Sequence, residues 1–329
     1  MPFRSFPKVE LHLHLDCSLS YAVASRLRPG LSRGEYERDF VAPPRCRSLA
    51  DFLTRAPTGF RLLQDREALR LATEDLFRQL EEDGVVYAEI RFAPLLHTEK
   101  GLTAEDAVET VDRAAEEAIR TTGIEARLIL CTLRHFSRDQ SLETARLLER
   151  FSGSRVVALD LAADEAGHPI DAHVPAFRWA LERGYARTAH AGEAKGPESV
   201  RETLRELRPS RLGHGVRSIE DPLLVEQLVT SRVHLEVCPS CNVQIGICDS
   251  YATHPVDRLY RAGVSLGINT DTRTLTPVTL SEAYERLHEA FGWGEEHFRR
   301  CNLDALAAAF ADEATKERLR TRLTDPPRR

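Results

Sequence analysis

The sequence lacks several features that would define its class. No run of about 18 apolar residues occurs in the 329-residue chain, so no membrane-spanning helix is expected. The net charge is −6 and no basic block stands out, which argues against a nucleic-acid partner. The N-terminus, MPFRSFPKVELHLHLD, has no continuous apolar segment before a small-residue cleavage site. These absences predict a cytoplasmic protein that binds neither nucleic acid nor membrane.

Cysteine occurs an odd number of times, seven, at scattered positions. This set does not resemble a disulfide framework and favours a reducing compartment. Cys238 and Cys241 have the C-x-x-C spacing of redox sites and zinc knuckles. No second pair follows at zinc-finger spacing, and the pair ends a predicted strand instead of opening the helix of a small redox domain. We interpret it as small residues in a tight turn that the chemistry does not need.

Short β-rich runs alternate with longer amphipathic stretches along the chain. The predicted strands cover residues 9–15, 84–94, 124–133, 155–162, 184–193, 211–215, 233–239 and 263–271. Between them lie helical patterns such as AEDAVETVDRAAEEAIRTTG, which ends at Gly123. This alternation predicts parallel βαβ units, and eight units predict a (β/α)8 TIM barrel. An open doubly wound sheet is the alternative, but its usual Gly-rich phosphate turn is missing.

One segment interrupts the alternation. Residues 17–80 separate the first two predicted strands, and part of this segment is rich in Pro, Phe and Leu. An insertion after a barrel strand lies at the end where active sites form, so its helices either pack on the barrel or cover the pocket as a lid. We interpret residues 1–329 as a single barrel domain with this possible lid insertion and a tail at 320–329.

Two histidines lie close together in the first predicted strand, within VELHLHLDCS. Side chains two positions apart point to the same face of a strand, so His12 and His14 share a face, and Asp16 follows them. A single histidine on an apolar strand is usually a hydrogen-bonded core residue. A pair that an aspartate follows fits a metal site as well as it fits packing.

Later predicted strands also end in polar residues. These residues come from HAGE, GHG and NTD: His190 and Glu193, His214, and Asp271. Side chains at the carboxyl ends of barrel strands converge on one point. Three imidazoles and one carboxylate suit Zn²⁺ and leave a position for water, whose pKa the ion lowers to about 7. The fourth strand offers no bridging lysine, which favours one metal. The other eight histidines lack comparable partners and are interpreted mostly as surface or packing residues.

Five ordered motifs resemble those of one family. PKVELHLHLD, HAGE, RLGHG, CPSCN and SLGINTD, in this order and with this spacing, are similar to the adenosine deaminase family of the metal-dependent amidohydrolase superfamily. The resemblance extends from Pro7 to the helix that ends near Phe310. HxH alone would be weak, whereas five ordered motifs are specific.

The resemblance implies a role for each matching residue. The implied metal ligands are His12, His14, His190 and Asp271. Glu193 matches the acid that protonates purine N1, and His214 matches the residue that orients and polarises the nucleophile. Asp271 would also orient the attacking water. On the substrate side, Asp16 would contact the ribose and His14 would border the substrate.

Three positions depart from the family pattern. The usual glycine after the first-strand aspartate is Cys17, the glycine of the family segment L-A-G-D-E is Ala163, and the second consecutive aspartate is Thr272. The backbone N–H of Ala163, implied to reach purine N3, survives the change. The hydroxyl of Thr272 can donate to purine N7, which only accepts hydrogen bonds; the alternative is that Thr272 faces away from the site and only packs. These departures concern base and ribose preference and leave the metal chemistry intact.

The resemblance implies zinc-dependent deamination of adenosine and 2'-deoxyadenosine to inosine and ammonia, with one Zn²⁺ per chain. The alternative is a deaminase of another 6-aminopurine, such as adenine or a modified adenosine, but Asp16 favours a substrate with a sugar. A third hypothesis is a non-catalytic or redox protein on the same barrel, which the complete ligand set and Glu193 oppose. The expected partner is a small purine nucleoside.

Overall fold

The computed structural model describes residues 3–324, which form eight strands and fifteen α-helices. The strands are β1 (Lys8–His14), β2 (Val85–Phe92), β3 (Glu125–Leu133), β4 (Val156–Ala162), β5 (Ala186–Ala191), β6 (Arg211–His214), β7 (His234–Val237) and β8 (Leu266–Ile268). Each strand pairs in parallel with the next along the chain. The predicted (β/α)8 TIM barrel with additional helices after the first strand is confirmed.

The helices surround this sheet and follow the strands in turn. They are α1 (Tyr21–Leu27), α2 (Arg33–Asp39), α3 (Leu49–Leu53), α4 (Ala56–Phe60), α5 (Arg66–Glu82), α6 (Ala104–Thr122), α7 (Arg138–Arg150), α8 (Val174–Glu182), α9 (Pro197–Glu206), α10 (Pro222–Ser231), α11 (Pro239–Gln244), α12 (Val256–Arg261), α13 (Leu280–Phe291), α14 (Glu295–Ala308) and α15 (Glu313–Thr324). Within residues 3–324, no helix combines the length and apolar composition that a membrane crossing requires.

Local sequence sets the helix boundaries. At the start of α6 the Thr103 hydroxyl accepts from the Asp106 amide at 3.0 Å, and the Asp106 carboxylate accepts from the Thr103 amide at 3.0 Å. The helix ends at Gly123, which has a left-handed φ of 69°; glycine adopts this conformation without strain because it has no Cβ atom. The last helix, α15, includes residues 320–324 of the predicted tail. The rest of that tail, 325–329, lies outside the described residues.

The insertion between β1 and β2 is helical. Helices α1–α4 lie within it, and α5 extends from it and packs against α6 as the ordinary helix of the first βα unit. The Ala42 amide, between α2 and α3, ties the insertion to the barrel, because it donates to the carbonyl of Leu275, after β8, at 3.0 Å. The structure thus supports packing of these helices on the barrel, and their action as a lid stays a prediction.

Charged side chains fill part of the barrel interior. Arg211 of β6 donates to Glu89 of β2 at 2.5 Å and to Glu236 of β7 at 2.8 Å, and all three side chains are fully buried. Arg91 of β2 reaches Glu236 from the other side at 2.6 Å. Charges are stable in such surroundings only when they are paired and hydrogen-bonded. The network therefore fixes the relative positions of strands from opposite sides of the barrel.

The barrel closes between β8 and β1 through side-chain contacts. In the described residues the backbone pairing here is reduced to a bridge between Leu13 and Asp271. The Asn269 carboxamide oxygen accepts from the amides of Leu11 at 2.7 Å and His12 at 3.1 Å. Asn269 thereby takes the place of a strand residue at the seam and satisfies two buried donors.

Replacing Asn269 with Val should strongly destabilise the fold. The change leaves two buried amides without an acceptor, each worth about 1–3 kcal/mol, so unfolding in urea should lose roughly 2–6 kcal/mol. Thr230→Val, which removes a hydroxyl from the exposed face of α10, should change stability by less than about 0.5 kcal/mol. A loss below about 1 kcal/mol for Asn269→Val would show that the seam does not depend on this side chain.

Candidate active site

Four side chains converge at the carboxyl ends of the strands. His12 and His14 come from β1, His190 from β5, and Asp271 from the segment after β8. His14 Nε2 lies 3.3 Å from His190 Nε2, and Asp271 Oδ1 lies 3.3 Å from His12 Nε2. One potential ligand atom from each of the four falls within 4.8 Å of the others. The structure thus brings together the four residues that the sequence analysis assigned to the metal.

The histidines present bare ring nitrogens to this cluster. His12 Nδ1 lies 2.8 Å from Glu236, and His190 Nδ1 lies 3.2 Å from Asp160, so each Nδ1 is held as the protonated nitrogen. His12 Nε2 is buried and has no hydrogen-bond partner among the described residues. A buried polar atom without a partner is costly, and a cation would supply one. Three imidazole nitrogens and a carboxylate therefore fit Zn²⁺.

The two carboxylates behind the histidines share one cation. Arg91 donates to Asp160 at 2.9 Å and to Glu236 at 2.6 Å, and all three side chains are fully buried. Burial alone would raise the pKa of Glu236, but the guanidiniums of Arg91 and Arg211 hold it well below its usual range. Both carboxylates are thus ionised acceptors for the histidine N–H groups. The sequence analysis missed them, although charged residues inside the apolar runs EIRF, LDL and LEV were a signal.

Glu193 and His214 face each other beside the cluster. His214 Nε2 lies 3.4 Å from Glu193 Oε1, and both side chains are buried. Burial raises the pKa of Glu193 well above its usual value, and the nearby carboxylates of Asp271 and Glu165 raise it further. A protonated carboxyl at neutral pH is what a general acid in this position requires.

A single carboxylate holds the loop that carries Glu193. Glu165 Oε2 accepts from the amides of Glu193 at 3.0 Å, Ala194 at 2.6 Å and Lys195 at 2.9 Å. Its Oε1 accepts from the Gly192 amide at 2.8 Å and the Ser199 hydroxyl at 2.6 Å. Glu165 occupies the last position of the L-A-G-D-E segment, and the sequence analysis assigned it no role. Five donors fix the HAGE loop and, with it, the position of Glu193.

Left-handed backbone is concentrated at the site. Among the described non-glycine residues, positive φ occurs at five positions, and three of them are here: Ala163 (80°), His214 (60°) and Asp271 (69°). Each such residue stores strain of about 1–3 kcal/mol, which the surrounding structure must offset. These residues lie at the end of β6 or within three residues of the ends of β4 and β8, and they direct side chains and amides into the mouth of the barrel.

The cluster opens into a two-part cavity. The inner part, of about 50 Å³, is lined by Glu193, His214 and Asp271 together with Thr272. The outer part, of about 390 Å³, is bordered by apolar side chains of α3 and α4, including Leu53 and Phe60. The insertion therefore forms one wall of the outer cavity.

The predicted substrate residues lie on these walls. Ala163 and Cys17 line both parts of the cavity, and Asp16 lines the outer part. Asp16 accepts from the Ala93 amide at 3.0 Å, and burial raises its pKa to about 6. Thr272 Oγ1 accepts from the Thr276 amide at 3.3 Å, which leaves the hydroxyl proton free to donate.

The C-x-x-C pair does not form the tight turn that we predicted. Cys238 follows β7 directly, and α11 begins at Pro239, so Cys241 lies within a short helix. The proline that follows the strand favours this helix start, because its fixed φ suits the first helical position. Both thiols are buried and free, and Cys241 Sγ lies 3.9 Å from Glu193 Oε1. That the chemistry does not need them stays a prediction.

Replacing Gly213 with Ala should impair metal binding. A Cβ at this position of β6 would lie 2.9 Å from His12 Cε1 and 3.1 Å from His190 Cγ, so both rings must move. Elemental analysis after dialysis should find less metal than in the unaltered protein. Gly34→Ala is the matched control, because a Cβ there meets nothing within 4 Å. Full metal content in Gly213→Ala would refute this account of the ligand packing.

Comparison with known proteins agrees with this geometry. A sequence profile described as adenosine deaminase matches residues 7–326. The adenosine deaminase of Clostridium perfringens strain 13 is 34% identical over 327 residues, covering 97% of this chain and 98% of its own. That of Haemophilus ducreyi is 36% identical over 323 residues, covering 94% of each chain.

Solved structures show the same architecture. An adenine deaminase from Arthrobacter aurescens superposes with a TM-score of 0.89 at 27% identity, covering 97% of this chain and 98% of its own. The N6-mAMP deaminase MAPDA of arabidopsis shares the fold, with a TM-score of 0.86 at 23% identity over 98% of each chain. The family match over nearly the whole sequence and the identities above 30% lead to one conclusion: this chain belongs to the adenosine deaminase family.

Proposed function

We propose that this protein hydrolyses adenosine, and 2'-deoxyadenosine, to inosine or deoxyinosine and ammonia. The proposal includes one Zn²⁺ per chain, bound by His12, His14, His190 and Asp271. The observation that carries it is the position of a buried carboxyl group, Glu193, which lines the inner part of the cavity together with three of these four residues, His14, His190 and Asp271. The curated relatives named adenosine deaminase support the same substrate.

The chemistry requires water to add to C6 of the purine and ammonia to leave. A divalent cation held by these four residues would lower the pKa of a bound water molecule to about 7. Protonated Glu193 donates its proton to purine N1, which makes C6 electrophilic. His214, whose Nε2 points to the same region, orients the attacking water. Besides binding the metal, Asp271 accepts a hydrogen bond from that water.

The remaining contacts position the nucleoside. In the proposal, the Ala163 amide donates to purine N3 and the Thr272 hydroxyl donates to purine N7. Asp16 accepts from the ribose hydroxyls, and His14 borders the ring beside it. All four residues line the cavity, which supports these assignments.

The outer cavity favours a nucleoside over a free base or a nucleotide. Its volume of about 390 Å³ next to Asp16 gives room for a ribose that free adenine does not have. Asp16 and Asp164 line it, and no lysine or arginine does so among residues 3–324. His135 and His168 also line this part, but no permanently charged base faces the two carboxylates, which disfavours a 5'-phosphate.

Glu193→Gln should keep the metal and lose activity. An amide cannot give and regain a proton, so turnover of adenosine should fall at least about 100-fold, the lower range for loss of a general acid. Elemental analysis should still find one zinc per chain, because the four ligands are unchanged. Turnover close to that of the unaltered protein, with full zinc, would remove Glu193 from the role of acid.

Adenosine should be strongly preferred over AMP. Like charges at close range cost several kcal/mol, so kcat/KM should be at least about 100-fold lower for AMP. Asp164→Asn should raise kcat/KM for AMP and leave kcat/KM for adenosine nearly unchanged, so the preference for adenosine should become smaller. Ammonia release from adenosine, deoxyadenosine, adenine and AMP measures these preferences. An AMP rate within about tenfold of adenosine, a gap of only about 1.4 kcal/mol, would contradict the nucleoside assignment.

A further inference from the structure

A chain of hydrogen bonds leads from the backbone to the rear of His214. The amide of Val256, at the start of α12, lies 3.0 Å from His254 Nδ1. His254 Nε2 lies 3.2 Å from Asn242 Oδ1, and Asn242 Nδ2 lies 3.2 Å from His214 Nδ1. The three side chains are at most 2% exposed, so the chain is shielded from solvent.

The direction of every bond in this chain follows from its first donor. A backbone amide can only donate, so His254 Nδ1 accepts and the proton of the neutral ring lies on Nε2. His254 Nε2 then donates to the Asn242 carbonyl oxygen, which fixes the orientation of that carboxamide. The NH₂ group of Asn242 therefore faces His214 and donates to its Nδ1. His214 must keep Nδ1 bare and carry its proton on Nε2.

The burial of His254 supports this direction. Burial lowers the pKa of His254 to about 3, so the ring stays neutral and does not present a second N–H to Val256. The sequence analysis placed His254 among residues without comparable partners, and its link to the site passes through α11. Asn242 was quoted in the CPSCN motif without a role.

We propose that Asn242 and His254 are positioning residues that hold His214 with its proton on Nε2. His214 then donates a hydrogen bond to the attacking water and does not take a proton from it. This inference rests on the proposed function for its catalytic meaning. The hydrogen-bond direction itself does not depend on the substrate.

The assignment determines where the protons go. Glu193 gives its proton to N1 as the oxygen of water bonds to C6. One proton of that water restores Glu193, and the other completes the ammonia that leaves as the C6–N bond breaks. The products are inosine, with a C6 carbonyl and N1–H, and NH₃. His214 begins and ends the cycle with the same proton, so Glu193 is the group that exchanges protons.

The first test is the tautomer of His214 in the zinc-loaded protein. ¹⁵N spectra of histidine-labelled protein distinguish a proton on Nε2 from one on Nδ1, and the spectrum of His214→Gln identifies the His214 signals. The expected result is a bare Nδ1 and a protonated Nε2. A proton on Nδ1 of His214 would overturn the proposal. This measurement holds even if adenosine proves not to be the substrate, which ammonia release decides separately.

The second test reverses the chain with Asn242→Asp. A carboxylate only accepts, so the proton of the buried, singly protonated ring should move to Nδ1. Loss of such a supporting contact typically lowers activity 10- to 100-fold, and we expect this fall in kcat with little change in KM. Asn302→Asp, the same exchange at a buried asparagine of α14 that bonds to the start of β1 and not to His214, should leave the proton of His214 on Nε2. Full kcat in Asn242→Asp would overturn the proposal.

A pair of His254 variants tests the relay if Asn242→Asp does not fold. Gln can place an N–H donor near the position of His254 Nε2, whereas Leu cannot. His254→Gln should therefore retain the Nε2 proton on His214 and most of kcat, and His254→Leu should lose both. Equal behaviour of the two variants would mean that His254 acts only through packing and would overturn its role.

Discussion

Two of the three candidate ligand histidines depend on a charge arrangement that the protein can bury only because Arg91 lies at its centre. Asp160 and Glu236 each accept a hydrogen bond from a histidine N–H. Without the guanidinium of Arg91 between them, the two carboxylates would repel each other. Removing one member of such a buried set typically costs about 3–5 kcal/mol. The candidate metal site and the barrel interior are therefore one electrostatic unit, so a change that weakens the buried charges should also move the histidines of the site.

This unit explains why the site forms at the strand ends. Arg91, Asp160 and Glu236 lie within β2, β4 and β7, where sheet hydrogen bonds hold the backbone rigidly. His12 and His190 hydrogen-bond to these carboxylates, and the left-handed residues after β4, at the end of β6 and after β8 direct further groups inward. Rigid strands thus carry the binding groups, while the helices of the insertion contribute an apolar wall and few charges.

Most of the fold, and the residues that come together as candidate ligands, could be predicted from local patterns. Strand alternation and the i, i+2 spacing of His12 and His14 are short-range signals. The supporting residues could not be found in this way, because Asn242 reaches His254 and Glu165 reaches Lys195 only through tertiary packing. The C-x-x-C segment was misjudged for a related reason. Its proline starts a helix, and that helix carries Asn242 to His214.

The contacts of Glu165 have a consequence for how the site can evolve. Four of its five donors are backbone amides, which every residue except proline provides. The shape of the loop is therefore encoded at a distance, in one carboxylate, and not in the side chains of the loop itself. Ala194 and Lys195 are free to change while the loop keeps its form, whereas Glu165 has no substitute with the same reach and charge.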